Sequence, residues 1–403
     1  MMTLENARPG RVAPAAIHPR MQNRLVHLIG GAFLVSRLFE TSATVALAAL
    51  PAETSPVAIH QTAAPPVSSM VVTLDGDWLL ATDPQNVGRA QKWCEGPVAQ
   101  AKSTRVPWII QETYPGYHGV AWYWRDFTAP PNPHVQGRYV LRFWAVDYLA
   151  EVWLNGVRVG GHEGGEGVFL LDVTDAIRAN GTNRLAVRVL NPSNDPIDDL
   201  RLPIIPRRCK VIPFSAGALY NDGGIVDSVE LLVTPPARLE DLWLRPNWKN
   251  GDILIQASVR NGGSTSVKGR LAFTAGPATS GETMASAGLE REFKPGVTLV
   301  ESRLHIDNPR LWDLNDPYRY RVTAKVWLDG TGSFDELSTP CGFRDFRFTD
   351  GAFHLNGRRI FLKCSHTSTH YPIGLHWPHD PDLARRDLLY AKVMGFNAIR
   401  FFC

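Results

Sequence analysis

The sequence has little cysteine, no charge block and no long apolar run. Five Cys occur in 403 residues, an odd number, and none stand in C-x-x-C spacing. That argues against both a disulfide framework and a zinc site. Lys+Arg 42 against Asp+Glu 39 leaves a net charge of +3. Neither sign is clustered, so the basic face that a nucleic acid or an anionic membrane needs is missing. No apolar stretch reaches the ~18 residues of a membrane span. Glutamate is absent from Phe343 to Cys403, the last being Glu336. What is abundant is aromatic surface, with twelve Trp and ten Tyr. Flat rings suit sugar faces and sandwich cores alike, and composition does not choose between them.

Residues 1–69 read as a leader and linker. Arg24 precedes the apolar run LVHLIGGAFLV (25–35), and VALAAL (45–50) supplies small residues. This is the layout of a secretory signal, although Arg37 and Glu40 interrupt it. A secreted or periplasmic location is the expectation. The stretch PAETSPVAIHQTAAPPVSS (51–69) is too poor in large apolar groups to bury a core, which suits a disordered linker.

From Met70 the pattern is almost entirely β. In GRYVLRFWAVD (137–147), Tyr139, Leu141 and Phe143 alternate with Arg138, Val140, Arg142 and Trp144. NRLAVRVLN (183–191) places Leu185, Val187 and Val189 on one side. Asn155-Gly156, Asn180-Gly181, Asn250-Gly251 and Asn261-Gly262 each predict a hairpin tip, because Asn-Gly tolerates positive φ. Thr234-Pro235-Pro236 predicts a linker between a sandwich over 70–235 and an immunoglobulin-sized one over 236–342. In the second, Tyr320, Val322, Ala324 and Val326 alternate with Arg321, Thr323, Lys325 and Trp327.

Residues 343–403 change character. RRIFLKCSH (358–366) reads as a buried strand. Asp380 is placed to cap a helix with Pro381 at its first position. Ala384, Leu388 and Ala391 recur at helical spacing beside Leu389 and Val393, and Gly395 is placed to end the helix. FNAIRFFC (396–403) is again a strand. Strand, helix, strand is the opening of a parallel α/β unit. The expectation is therefore a mainly β chain that ends in an incomplete barrel.

Three ordered segments carry a resemblance. They are DYLAEVWLNGVRVGGHEGGEGVFLLDVTD (147–175) with GTNRLAVRVLNP (181–192); GGIVDSVELLVTP (223–235); and LWDLNDPYRYRV (311–322) with GFRDFRFTDGAFHLNGRRIFLKCSH (342–366). They resemble glycoside hydrolase family 2, the β-galactosidase, β-glucuronidase and β-mannosidase group. The resemblance implies a sugar-binding jelly roll, an immunoglobulin-like sandwich and the first β-α-β of a TIM barrel. It also implies hydrolysis of β-glycosides by two Glu on later barrel strands. The residues give no such pair, so no catalytic residue is nominated in this chain, which is expected to be inactive alone. Retaining hydrolysis uses two carboxyl groups about 5–5.5 Å apart and needs neither a metal nor an organic cofactor.

The same resemblance places Arg400 at the end of barrel strand two, lining the sugar site. His366 and His370 follow strand one as further substrate-binding candidates. The family's Asn-Arg-His-Glu run is replaced by CSHTSTHYP (364–372), so its His and Glu fall on Ser368 and Thr369. Its histidine after strand two falls on Cys403, and Ala218 stands where its jelly roll often has an aspartate. Asn155, Gly156, Asp147, Asp172 and the glycines of GGHEGGEG (160–167) read as fold-setting rather than sugar-binding. The partner expected is a carbohydrate substrate, with self-association of the full-length protein left open. The competing reading is a secreted, non-catalytic carbohydrate-binding module made of the two sandwiches.

Overall fold

The computed structural model describes residues 66–165, 167–205, 221–367 and 381–401. The leader, His370, Asp380, Ala218, Ser368, Thr369 and Cys403 lie outside them.

The first sandwich packs a six-stranded antiparallel sheet on a four-stranded one. The larger runs Lys102–Val106, Gly76–Thr82, Gly119–Thr128, Thr182–Asn191, Leu149–Leu154, Val157–Glu163. The smaller runs Phe169–Asp172, Arg138–Phe143, Val229–Thr234, Met70–Thr73. Period-two alternation drives this packing. Tyr139, Leu141 and Phe143 point inward against Leu185, Val187 and Val189 in one buried cluster. Val140, on the opposite side of its strand, is also fully buried, in register with Leu232.

The outer face of the six-stranded sheet is itself covered. Trp93, Trp122, Trp124 and Trp153 form a second apolar layer with Ala186 and Leu190. Asp83, buried, accepts from the amides of Val87 (2.8 Å) and Gly88 (2.8 Å) and from Trp122 Nε1 (3.1 Å). A Cβ on Gly88 would lie 2.4 Å from that indole nitrogen, so only glycine allows the approach. Arg188, in mid-strand, has no exposed surface. It donates to Glu151 Oε2 (3.1 Å), Asp198 Oδ2 (2.6 Å) and Asn86 Oδ1 (2.7 Å). Burial pulls its pKa below the ordinary guanidinium value. The two carboxylates hold the charge in place.

The second sandwich packs Ala237–Pro246, Asp252–Asn261 and Gly296–His305 against a five-stranded sheet. The latter runs Val67–Ser68, Ser333–Cys341, Tyr320–Leu328, Val267–Pro277, Ala285–Phe293. Tyr320, Val322, Ala324 and Val326 are buried, joined by Phe273, Phe293 and Phe343.

Several expectations are corrected at the turns and junctions. Asn155-Gly156 (φ 53° and 81°) and the loop ending Asn250-Gly251 do close hairpins. Asn180-Gly181 and Asn261-Gly262 instead carry the chain from one sheet to the other, because the strands flanking them pair elsewhere. Pro235 and Pro236 are buried, with Pro236 O accepting from Gly262 N at 2.9 Å, so this joint is packed. Residues 67–68, expected within a disordered linker, form a parallel strand on Ser333–Phe334. Main-chain pairing supplies there what the side chains lack. The buried imidazole of His134 meets Ser333 Oγ at 2.9 Å, and Asp335 Oδ2 accepts from Leu239 N at 2.7 Å. The His134 contact and the Val67–Ser68 pairing fasten one sandwich to the other, while the Asp335 bond ties the two sheets of the second sandwich together.

The segment 358–366 is two strands, not one buried strand. Arg358–Ile360 pairs antiparallel with Ala352–Leu355, and Cys364–Thr367 pairs parallel with Ala398–Phe401. Asn397 bridges the change of partner, accepting from Lys363 N (2.8 Å) and donating to Phe361 O (2.9 Å). Phe361 is exposed. Between the parallel strands runs the helix Pro381–Val393. Gly395 (φ 84°) ends it, with Phe396 N donating to Ala391 O and Gly395 N to Lys392 O. This is the paired closure of a Schellman turn. Of its apolar positions Ala391 is buried, while Leu388, Leu389 and Val393 are exposed.

Two outcomes follow for stability. Arg188→Ala leaves a void at a fully buried position and strips Glu151 and Asp198 of their shared cation, which should cost about 3 kcal/mol, read as a lower urea midpoint at unchanged m-value. Burial holds the His134 pKa below its ordinary 6.5. Stability should therefore be full above pH 6.5 and decline as the pH falls below it, by up to ~1.4 kcal/mol per pH unit. The exposed His305, its pKa raised by hydrogen bonds to Asp252 and Asp307, acts in the opposite sense. The check is thus the difference in pH profile between the wild type and His134→Gln, which should lack the acid-side decline.

Candidate functional site

Two places in the structure gather polar groups where backbone elements end. The first is the parallel pair Cys364–Thr367 and Ala398–Phe401, whose register sets His366 opposite Arg400. The helix between them returns the chain so that both strands end on the same side. In parallel α/β units ligands collect at that carboxyl end. Arg400 is exposed and forms no ion pair among the described residues. A guanidinium is a two-pronged donor suited to hydroxyls or a carboxylate. Of the three predicted site residues, the structure places Arg400 and His366 on neighbouring strands, and His370 lies outside the described residues. Among the described residues no group of three or more His, Cys, Asp or Glu comes together as a metal site.

The second place is one end of the first sandwich. Here three chain segments are tied by amide side chains. Gln111 donates to Tyr117 O (2.7 Å) and accepts from Gly223 N (3.2 Å). Asn191, fully buried, donates to Asn221 O (2.8 Å), and Asn221 donates to Pro192 O (2.6 Å). Both amide nitrogens also face His118 Nδ1, at 3.2 and 3.3 Å. With two amide nitrogens aimed at it, Nδ1 is the nitrogen of the ring placed to accept. His118 itself is exposed. Asp222 follows Asn221 in the chain and Asp147 pairs with Gly224, and both are buried. A Cβ on Gly165 would come within 2.7 Å of the Asp147 carboxyl carbon, and one on Gly223 within 2.5 Å of Asn191 Cγ. The glycines therefore let the segments close over these polar groups.

None of this cluster was singled out from sequence. The signal available was the polar run Asn221-Asp222-Gly223 ahead of buried Ile225, together with Asn191 ending an apolar strand. Asn155 is spent on the fold: it donates to Ala176 O and Asn183 Oδ1, both at 2.8 Å, and accepts from Arg184 N at 3.0 Å. Asp172 likewise anchors Thr174 N (3.0 Å) and Arg138 Nε (2.9 Å).

Comparison with known proteins sets these sites in a larger frame. The family model for the glycosyl hydrolases family 2 sugar binding domain matches residues 71–235, and the model for glycosyl hydrolases family 2 matches 237–344. A putative β-glucuronidase of Formosa agariphila is 30% identical over 292 residues, covering 71% of this chain and 32% of that protein. A β-glucuronidase of Bacteroides fragilis is 28% identical over 281 residues, 65% of this chain and 37% of that protein. The chain thus spans about a third of the length of these relatives. Among solved structures, a Ruminococcus gnavus β-glucuronidase superposes with TM-score 0.64 at 23% identity, covering 83% of this chain and 55% of that one. A Bacteroides uniformis β-glucuronidase gives TM-score 0.68 at 22% identity, covering 83% and 39%.

Asn191→Ala removes the donor to Asn221 O and one donor to His118. It should cost about 1–3 kcal/mol. It should also speed amide hydrogen exchange at Gly223 while leaving Leu231 protected. Equal acceleration at both would mean the side chain supports the whole sandwich instead of this end of it.

Proposed function

The chain belongs to glycosyl hydrolases family 2, and from that premise we propose that it is the N-terminal part of an enzyme hydrolysing the O-glycosidic bond of β-glucuronides. The observation that carries the reading is the unbroken order of two family domains over residues 71–344, in a chain whose relatives are named β-glucuronidases. The β-α-β unit after Phe343 is read as the opening of the catalytic barrel. Such a barrel takes about 250 residues, of which about 60 are here. Its exposed Leu388, Leu389 and Val393 are the kind of surface that further strands and helices of a barrel cover.

Chemistry is assigned accordingly. The two carboxyl groups that protonate the leaving oxygen and attack the anomeric carbon belong to barrel strands beyond this chain, since 343–403 holds no glutamate. Arg400 is the residue proposed to touch substrate, its fork matching the carboxylate at C6 of a glucuronide. His366 is a neighbouring candidate by register, and His370 remains one on sequence alone. The first sandwich supports the pocket from one side. A secreted or periplasmic location is proposed on the leader sequence.

The test is activity on 4-nitrophenyl β-glucuronide, β-galactoside and β-mannoside, alongside the intact mass of the protein from its source. The expected result is a native mass well above 44.7 kDa, turnover of the glucuronide, and none by the 403-residue chain. In the native protein Arg400→Ala should raise KM for the glucuronide by about tenfold or more, with a smaller effect on any galactoside turnover. A native mass at or below 44.7 kDa with no turnover would shift the reading to the second one, a non-catalytic sugar-binding protein.

A further inference from the structure

The structure contains a cleft that neither site above uses. One wall is the outer face of the smaller sheet of the first sandwich, and the other is the outer face of the five-stranded sheet of the second. It encloses about 790 Å³, within the range of ligand sites. Three features bear on what it holds.

Trp144, on the first wall, is partly exposed at 38% of its surface, yet it is fixed. Its Nε1 donates to Glu230 Oε2 at 2.8 Å, and the Arg142 guanidinium stacks 4.8 Å from its ring centre. Arg142 is anchored in turn on Glu230 at 2.6 Å. A tryptophan held on one face and at its polar edge, with the remainder open, is a preorganised platform. No ordering cost remains to be met when a ligand packs on it. Next, Arg238 lines the cleft and is 5% exposed. Its Nη2 donates to Glu240 Oε1 at 2.6 Å, but its Nη1 has no acceptor among the described residues. That nitrogen is buried, so Arg238 serves the cleft by fixing Glu240 on its wall. Last, the cleft is lined by three basic and four acidic side chains. The excess carboxylate disfavours phosphate and polyanions. Close charged groups of both signs suit hydroxyl groups, which both donate and accept.

We infer that this cleft between the two sandwiches is a second carbohydrate site, taking a neutral oligosaccharide stacked on Trp144 and hydrogen-bonded across to Lys325 and Glu240. It deepens the glycosidase reading by giving the chain a hold on a part of the glycan remote from Arg400. It depends on that reading only for its biological sense.

Calorimetric titration of the 403-residue chain with β-linked gluco-, manno- and galacto-hexaoses, and with oligouronates of the same length, tests it. The expected result is heat with at least one neutral hexaose. That affinity should fall about tenfold or more in Trp144→Ala. It should also fall in Lys325→Ala on the opposite wall. Lys325 is partly exposed on the outer face of its strand, so its variant keeps the test informative if Trp144→Ala fails to fold. No heat with any neutral hexaose, binding confined to oligouronates, or affinity unaltered in Lys325→Ala overturns the proposal. Binding is read without turnover, so a native protein that fails to cleave glucuronides leaves this result standing, and the converse holds.

Discussion

The central strand of the larger sheet, Thr182–Asn191, is buried on both faces, and most of the first sandwich follows from that constraint. Leu185, Val187 and Val189 look into the core, while Ala186, Arg188 and Leu190 look out under a layer of tryptophans. A strand buried twice must find partners for any charge it carries, because an unpaired buried cation is untenable. Arg188 finds them in Glu151, Asp198 and Asn86. Two loops, one beginning at Asp83 and one around Asp198, are thereby drawn onto the sheet. The outer layer is a consequence of that single buried guanidinium and of the Trp faces it sits among.

The same logic shows how much was readable beforehand. Alternation identified both sandwiches, because the side-chain period of a strand is visible without knowing its neighbours. It misled where a second layer exists. Arg188 and Val140 sit at positions that the alternation turns away from the core, and both are fully buried. Burial there is decided by segments far away in sequence. Asn-Gly pairs behaved similarly: positive φ is a local property, but whether the turn joins paired strands depends on sheet order. Two of four joined them.

For function, the order of long segments was legible and the geometry was not. Arg400 was nominated through the family resemblance, and the structure sets it on a strand beside His366. The His118 cluster was missed because its members, Gln111, His118, Asn191 and Asn221, come from three separated stretches. Only folding puts Nδ1 of one against the amides of two others. The cleft was invisible for the same reason, since its walls belong to different sandwiches. Trp144 had appeared only as an outward member of an alternating strand.

The short parallel strand at Val67–Ser68 bears on the order of events at the ribosome. Val67 pairs with Ser333, so the residues leading into the first sandwich have no main-chain partner until nearly all of the second has been made. The first sandwich can close its own core much earlier. Domains emerging in sequence tend to fold as units, and here the earlier unit must wait with one loose end. The joint between the sandwiches is thus a late event in the life of the chain. It closes a very long loop, which makes it slow to find but not greatly costly to hold, since loop entropy grows only logarithmically with length.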